Sequence, residues 1–319
     1  MSKMLNENHP LRVALYLSQI EHIEGIDQSM IVDMASVAEK AGFDDIFMGE
    51  HIGLSSDSDR DRHLRTTNIR GYGLDWGQPP SKPWLDVMTA LAAVAGATER
   101  VRLCATATIA PLRHPLVSAK QIASLDVLSK GRLVVTPIGS WQPAEYAALG
   151  VDFKTRGRRL DEILEVWHAV WAESPAAYDG EFFSFNDMHC EPKPVQKPGP
   201  ALWFGANKMF PALVRRLAKF GSGFMPLGFM PSEEDWATLE EAMAAQGRSV
   251  GELEMIGPVF PNFRDDINAA NIDDSLPQVE QLLEAGITTF FVGAGPFCQS
   301  INDFPDFCDH VIKRFNEYR

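Results

Sequence analysis

The chain has 319 residues, 45% hydrophobic and 23% charged, a balance typical of a globular protein with a sizeable core. Its formal net charge of −14 disfavours nucleic acid and anionic membranes as main partners, although a local basic cluster could still hold a phosphate group. Four separated cysteines without a CxxC pair disfavour a metal site, and no apolar run reaches the length of a membrane span, so we expect a cytoplasmic protein.

The first half of the chain alternates between strand-like and helical patterns. Strands are predicted over 11–17, 45–49, 101–109 and 133–138, and helices over 27–41, 83–97 and 115–128. The strand–helix–strand unit from 101 to 138 predicts two parallel neighbouring strands in one sheet. Residues 52–80 form a long polar connection, which we interpret as a lid over one end of the fold.

The second half continues the alternation after an insertion at about 174–200, which holds a predicted hairpin and a proline-rich connector. Strands are predicted over 201–206, 221–227, 253–259 and 288–292, and helices over 156–171, from the fifth strand through 218, 232–246, 277–285 and 304–315. Eight strands alternating with helices predict an α/β fold. The chain is expected to form a single (β/α)8 TIM barrel with loop insertions, spanning 1–319.

Ligands of such barrels collect at the carboxyl ends of the strands, so residues at these ends are the candidates for function. His51 directly follows the second predicted strand, and a histidine at this rim is a candidate acid or base. The alternative is a surface histidine that caps the loop.

Polar and small residues also mark the ends of the third and fourth strands. The alternate positions of Thr106 and Thr108 predict that both hydroxyls share one face, where either a ligand or nearby backbone would bind them. After the fourth strand, Gly139 lets a ligand approach the backbone closely. Ser140 offers a hydroxyl, and Trp141 offers a flat aromatic surface for packing. This combination suits an aromatic ligand.

Three places are candidates for binding an anion. Small residues after the fifth strand are predicted to open a helix, whose free N–H groups would bind phosphate: Gly205, Ala206 and Asn207. The glycine-rich segment 293–296 after the eighth strand is a rival site, and an ordinary turn is the alternative for both. Arg156 and Arg158 could clamp an anion or belong to a solvated surface.

With these residues in order, the chain resembles the luciferase-like family of flavin- or deazaflavin-dependent oxidoreductases. The matching pieces are AGFDDIFMGEHI (41–52), ATERVRLCATATIAPLRHPLVSAKQIASLDVLSKGR (97–132), RGRRLDEILEVWHAVW (156–171) and EPKPVQKPGPALWFGA (191–206). The resemblance implies a TIM barrel that seats an isoalloxazine-type ring at the carboxyl ends of its strands.

The resemblance also assigns roles to particular residues. His51 matches a rim histidine that manages a proton, and Thr106 and Ala107 match a bulge with a non-prolyl cis peptide beneath the ring. Positions lining the ribityl chain and the phosphate correspond to Gly139 and Trp141. Either Arg156 or Arg158 matches a phosphate-contacting arginine, and an amide-rich phosphate turn corresponds to Gly205, Ala206 and Asn207.

Two positions depart from the family pattern. Gly139 stands where some relatives carry an arginine, so the phosphate charge must be met elsewhere. Ile52 stands where relatives often carry a second histidine, which puts a two-histidine mechanism in doubt.

The leading hypothesis is a two-component monooxygenase that takes reduced FMN from a separate flavin reductase and uses O2 on a small organic substrate. The alternative within the family is hydride transfer with the deazaflavin coenzyme F-420. A different class would be a non-catalytic flavin-binding or partner subunit, against which the retained His51 argues. The resemblance further implies a homodimer. The loop aromatics Tyr72, Trp76 and Phe263 either indicate an apolar substrate or pack within their own loops.

Overall fold

A computed structural model describes residues 9–18, 20, 23–56, 83–262 and 270–319. Most of the predicted lid lies outside these residues, as do Tyr72, Trp76 and Phe263, so their predicted roles remain predictions. Within the described part, every helix is too short or too polar to cross a membrane.

Eight parallel strands form a closed barrel, which confirms the predicted (β/α)8 architecture. The barrel strands are β1 (Arg12–Tyr16), β2 (Asp45–Met48), β3 (Arg102–Ile109), β4 (Leu133–Ile138), β7 (Ala201–Ala206), β8 (Gly223–Pro226), β9 (Glu254–Pro258) and β10 (Thr289–Gly293). Their order around the barrel is β1-β10-β9-β8-β7-β4-β3-β2. The predicted hairpin is a separate antiparallel pair, β5 (Ala176–Asp179) and β6 (Ser184–Met188).

Helices connect the strands as predicted, with small differences at their ends. They are α1 (Ile31–Ala41), α2 (Val87–Ala97), α3 (Pro115–Leu128), α4 (Pro143–Ala148), α5 (Arg156–Ala172), α6 (Pro211–Phe220), α7 (Glu233–Ala244), α8 (Ile272–Ser275), α9 (Pro277–Glu284) and α10 (Phe304–Phe315). The helix predicted from 83 begins at Val87, because the Asp86 carboxylate caps it by accepting the N–H of Thr89. The sequence does not predict α4 or α8, since six and four residues are too few to show a helical period.

By their internal contacts, the described residues divide into two compact units. The first unit contains the described residues up to 47 and those from 202 onward, and the second contains 48–56 and 83–201.

Aromatic side chains fill the barrel interior contributed by the first unit. The ring of Phe47 lies 5.6 Å from both Trp203 and Phe291, between strands that are not neighbours in the sheet. Gly223 makes room for this packing, since a Cβ there would lie 2.3 Å from the Trp203 ring. The inner layer of this unit is therefore packed with side chains, as expected of a small barrel.

In the second unit, two indole rings fix α3 against α5. Trp167 and Trp171 are fully buried and stack with their centroids 5.7 Å apart. Trp167 Nε1 donates to the hydroxyl of Ser118 at 2.9 Å, and Trp171 Nε1 donates to the carbonyl of Ala119 at 3.2 Å. Burial of such large rings with satisfied N–H groups gives β3 and β4 a rigid support.

Candidate active site

The end of β3 is irregular at the predicted position. The peptide bond between Thr106 and Ala107 is cis, as the resemblance implies. Thr106 pairs with Thr136, whereas Thr108 pairs with Pro137, so the register shifts by one residue at Ala107.

This shift corrects the prediction that the two threonine hydroxyls share a face. Adjacent residues of β4 point to opposite sides, so their partners Thr106 and Thr108 also point to opposite sides. The hydroxyl of Thr106 lies 3.1 Å from that of Thr136, whereas the buried hydroxyl of Thr108 has no hydrogen-bond partner among the described residues.

His51 is buried at the end of β2, with 6% of its side chain exposed. Its Nδ1 lies 3.0 Å from Oε2 of Glu145, a fully buried carboxylate on α4. The rings of Trp84 and Trp141 meet the imidazole in edge contacts, at centroid distances of 5.1 Å and 5.6 Å. Among the described residues, Nε2 of His51 has no hydrogen-bond partner. The imidazole is thus oriented by one nitrogen and leaves the other available to a ligand.

Glu145 also fixes the backbone that follows His51. Its Oε1 accepts the N–H groups of Ile52 at 2.8 Å and Gly53 at 3.2 Å. The isoleucine at the second-histidine position therefore contributes its backbone to this arrangement, and its side chain is exposed.

Next to His51 in the chain, Glu50 holds the ends of β2 and β3 together. Its carboxylate accepts two hydrogen bonds from the guanidinium of Arg113, at 2.6 Å and 2.7 Å, and one from the N–H of Ile109 at 2.7 Å. Burial raises the pKa of Glu50, and Arg113 offsets this effect only in part. Arg113 also donates to Asp86 at 3.0 Å, at the start of α2. These contacts make Glu50 a structural residue.

A residue of α4 holds the turn that follows β4 in place. Tyr146 is fully buried and donates its hydroxyl to the carbonyl of Gly139 at 2.5 Å. Burial raises the pKa of Tyr146, so this phenol stays a donor. Ser140 has a positive φ of 54°, and its buried hydroxyl has no partner among the described residues.

Arg156 lies beside this turn. A Cβ on Gly139 would lie 3.4–3.9 Å from the alkyl carbons of Arg156, so glycine leaves this space to the arginine. The guanidinium stacks on Phe153 at 3.7 Å and donates to its carbonyl at 2.9 Å. Arg156 has no carboxylate within 4 Å among the described residues, so its charge is available to an anion.

Arg158, two residues after Arg156, contacts the hairpin of β5 and β6 instead. It forms an ion pair with Glu181, stacks on Phe182 at 5.2 Å, and leaves 60% of its side chain exposed. The structure therefore brings Arg156, and not Arg158, to the turn at Gly139.

Gly205, Ala206 and Asn207 lie at the carboxyl end of β7, in the first unit. Gly205 pairs with Met225 and Ala206 pairs with Pro226 in the neighbouring strand. The prediction that this segment opens a helix is wrong: α6 begins only at Pro211, where proline occupies the first helical turn. The part of these three residues in phosphate binding remains a prediction.

Four residues of this arrangement were not predicted from the sequence: Trp84, Arg113, Glu145 and Tyr146. One local signal marks the helix that carries two of them. Gln142 caps α4 by accepting the N–H of Ala144, Pro143 occupies the first turn, and Glu145 follows in it. A capping residue followed by proline and glutamate is a typical helix start.

Comparison with known proteins agrees with this architecture. The chain is 29% identical over 196 residues to the FMNH2-dependent dimethylsulfone monooxygenase of Pseudomonas putida, covering 60% of this chain and 47% of that protein. The chain thus spans about half the length of that relative.

Two solved structures share the fold over nearly the whole chain. Monooxygenase RslO1 from Streptomyces bottropensis has a TM-score of 0.71 at 21% identity, covering 96% of this chain and 100% of that one. The coenzyme F420-dependent tetrahydromethanopterin reductase from Methanopyrus kandleri has a TM-score of 0.67 at 16% identity, covering 97% and 100%. The model of the luciferase-like monooxygenase family matches residues 13–279, and the chain therefore belongs to this family.

Proposed function

We propose that the protein is a two-component flavin monooxygenase that uses reduced FMN and O2 on a small organic substrate. The observation that carries the proposal is the buried His51, oriented by Glu145 and flanked by two tryptophans, with Nε2 left to a ligand. The FMNH2-dependent relative supports this cofactor.

The residues around the turn after β4 fit the ribityl phosphate of a flavin. The buried hydroxyl of Ser140 lacks a partner among the described residues and would bind a ligand oxygen. Arg156 offers a guanidinium that no described carboxylate neutralises, and this group suits a phosphate. Arg156 would thus supply the charge that some relatives place at position 139.

In the proposed mechanism, bound reduced FMN would supply the electrons that activate O2. The protein itself would hold the cofactor and the imidazole of His51 in place and exclude water from the site. The rings of Trp84 and Trp141 shield the imidazole, and a dry site protects reactive species from water. Glu145 holds His51 so that Nε2 accepts or returns a proton beside the reacting atoms.

The two arginines provide a matched test of the phosphate subsite. Arg156→Ala is expected to weaken the binding of reduced FMN by about 1.5–3 kcal/mol, the range for a hydrogen bond to a charged group. Arg158→Ala is expected to leave the affinity unchanged, because its guanidinium binds Glu181 in the hairpin. Anaerobic equilibrium titration of both variants measures the difference. Equal affinities in the two variants would reject Arg156 as the phosphate ligand.

Hydride transfer with coenzyme F-420 is the second candidate. The segments at 156–162 and 183–196 look most similar to the subgroup of the family that is labelled deazaflavin-dependent. The two activities are distinguished by a reductase-coupled assay. The monooxygenase consumes O2 in step with substrate, whereas the F-420 enzyme oxidises or reduces its substrate without O2.

We also propose that the protein works as a homodimer and receives reduced FMN from a separate reductase. At the end of α3, the neighbouring residues Val127 and Leu128 are 38% and 65% exposed. Adjacent exposed apolar groups mark an interaction surface. Light scattering would then give a mass twice the 35.4 kDa of the chain.

A further inference from the structure

We propose that Glu145 is a positioning residue that fixes the tautomer of His51, with the proton on Nδ1 and the lone pair on Nε2. Only its consequence for turnover rests on the function proposed above. The tautomer itself is a property of this chain's own residues and is measurable without any cofactor.

Glu145 accepts hydrogen bonds through both of its carboxylate oxygens. Its Oε1 faces two backbone donors, the N–H groups of Ile52 and Gly53, which cannot reverse their role. Its Oε2 lies 3.0 Å from Nδ1 of His51. One proton lies in this last contact, and a carboxylate whose other oxygen already accepts two backbone N–H groups can only accept here as well. The proton therefore resides on Nδ1, and Glu145 accepts all three hydrogen bonds as a carboxylate.

The contact between Glu145 and His51 is held rigidly from α4. The Glu145 side chain is fully buried, and α4 is held at its start by the cap from Gln142. The next residue, Tyr146, ties the same helix to the carbonyl of Gly139 at 2.5 Å. Glu145 therefore cannot move away from His51 without breaking buried hydrogen bonds.

The consequence is that Nε2 of neutral His51 is an acceptor. A ligand group that faces Nε2 must then donate a hydrogen bond or a proton. A substrate or cofactor that offers only an acceptor at this point would leave the lone pair unmatched.

Replacing Glu145 with glutamine tests this assignment with almost no change in shape. Glutamine has one oxygen and one NH2 group in place of two acceptor oxygens. The two backbone N–H groups retain the oxygen, so the NH2 group faces Nδ1 and can only donate to it. Glu145→Gln is therefore expected to switch neutral His51 to the tautomer with its proton on Nε2.

The experiment is heteronuclear NMR of the unliganded full chain with 15N in the histidine rings, at a pH where imidazoles are neutral. The chain has eight histidines, and the spectrum of His51→Gln identifies the signals of His51 by their loss. In the wild type we expect a protonated, pyrrole-like Nδ1 and an unprotonated, pyridine-like Nε2. In Glu145→Gln the two patterns are expected to exchange.

Glu162→Gln is the matched control, because it makes the same carboxylate-to-amide change in α5, where Glu162 accepts backbone N–H groups of the hairpin instead of contacting His51. It is expected to keep the wild-type tautomer. A wild-type spectrum with the proton on Nε2 would overturn the proposal even if the glutamine variant did not fold. A folded Glu145→Gln protein with the wild-type pattern would overturn it as well.

A kinetic measurement separates this proposal from the proposed function. In a serine protease whose histidine is oriented by an aspartate, the carboxylate-to-amide change lowers kcat by roughly 10⁴-fold through the wrong tautomer. We expect Glu145→Gln to lower kcat by roughly 10²–10⁴-fold with the affinity for reduced FMN unchanged. A wild-type protein inactive with reduced FMN would reject the monooxygenase function, while the NMR result would still decide the tautomer.

Discussion

Turnover with reduced FMN is expected to fall by roughly 10²–10⁴-fold in His51→Gln, which is the usual contribution of a positioned acid or base. The variant retains a polar side chain of similar length between Trp84 and Trp141, so the site keeps its shape. Cofactor affinity should be preserved, because the proposed phosphate contacts come from the turn after β4. Steady-state kinetics with a coupled reductase and an anaerobic binding titration measure the two quantities.

A suitable control is His310→Gln on α10, since His310 is a partly exposed histidine paired with Asp273. This variant should keep wild-type turnover. Undiminished turnover in His51→Gln would remove His51 from the mechanism and would favour the non-catalytic subunit described above.

The largest effect on stability is expected for Arg113→Ala. The side chain of Glu50 is 1% exposed, and Arg113 supplies two of the three hydrogen bonds that its carboxylate accepts. Removing one partner of a buried ion pair costs about 3–5 kcal/mol, because the remaining charge is left uncompensated. The free energy of unfolding from urea titration should fall by this amount.

Arg158→Ala again serves as the control, here for an exposed ion pair. Its pair with Glu181 should contribute no more than about 1 kcal/mol. If Arg113→Ala were as stable as Arg158→Ala, Glu50 and Arg113 would not hold the ends of β2 and β3 together.

The architecture could be predicted because each strand and helix carries its own local signal. Buried strands such as β4 and β7 are short apolar runs, and α3 and α10 begin where predicted because proline lies in their first turn. His51, Gly139 and Trp141 could be selected because they follow strands of a predicted barrel. In such cases a residue's neighbours in the sequence are also those that determine its structure.

Contacts between distant residues could not be predicted in this way. His51 and Glu145 are separated by 94 positions, and Glu145 lies on a helix too short to show a period. The faces of Thr106 and Thr108 were predicted wrongly, because a one-residue register shift cancels the alternation on which the prediction rests. The choice between Arg156 and Arg158 likewise depends on the packing of the hairpin against α5, through the ion pair of Arg158.

We propose that the second unit binds the reduced tricyclic ring of a flavin or deazaflavin beside His51. The most direct measurement is an anaerobic titration of the protein with reduced FMN and, in parallel, with reduced F-420, followed by the fluorescence of Trp84 and Trp141. The account predicts saturable binding of reduced FMN at one site per chain, with a signal that is diminished in Trp141→Phe and an affinity that is lowered in Arg156→Ala. Failure to bind either cofactor, or binding that neither variant alters, would contradict it.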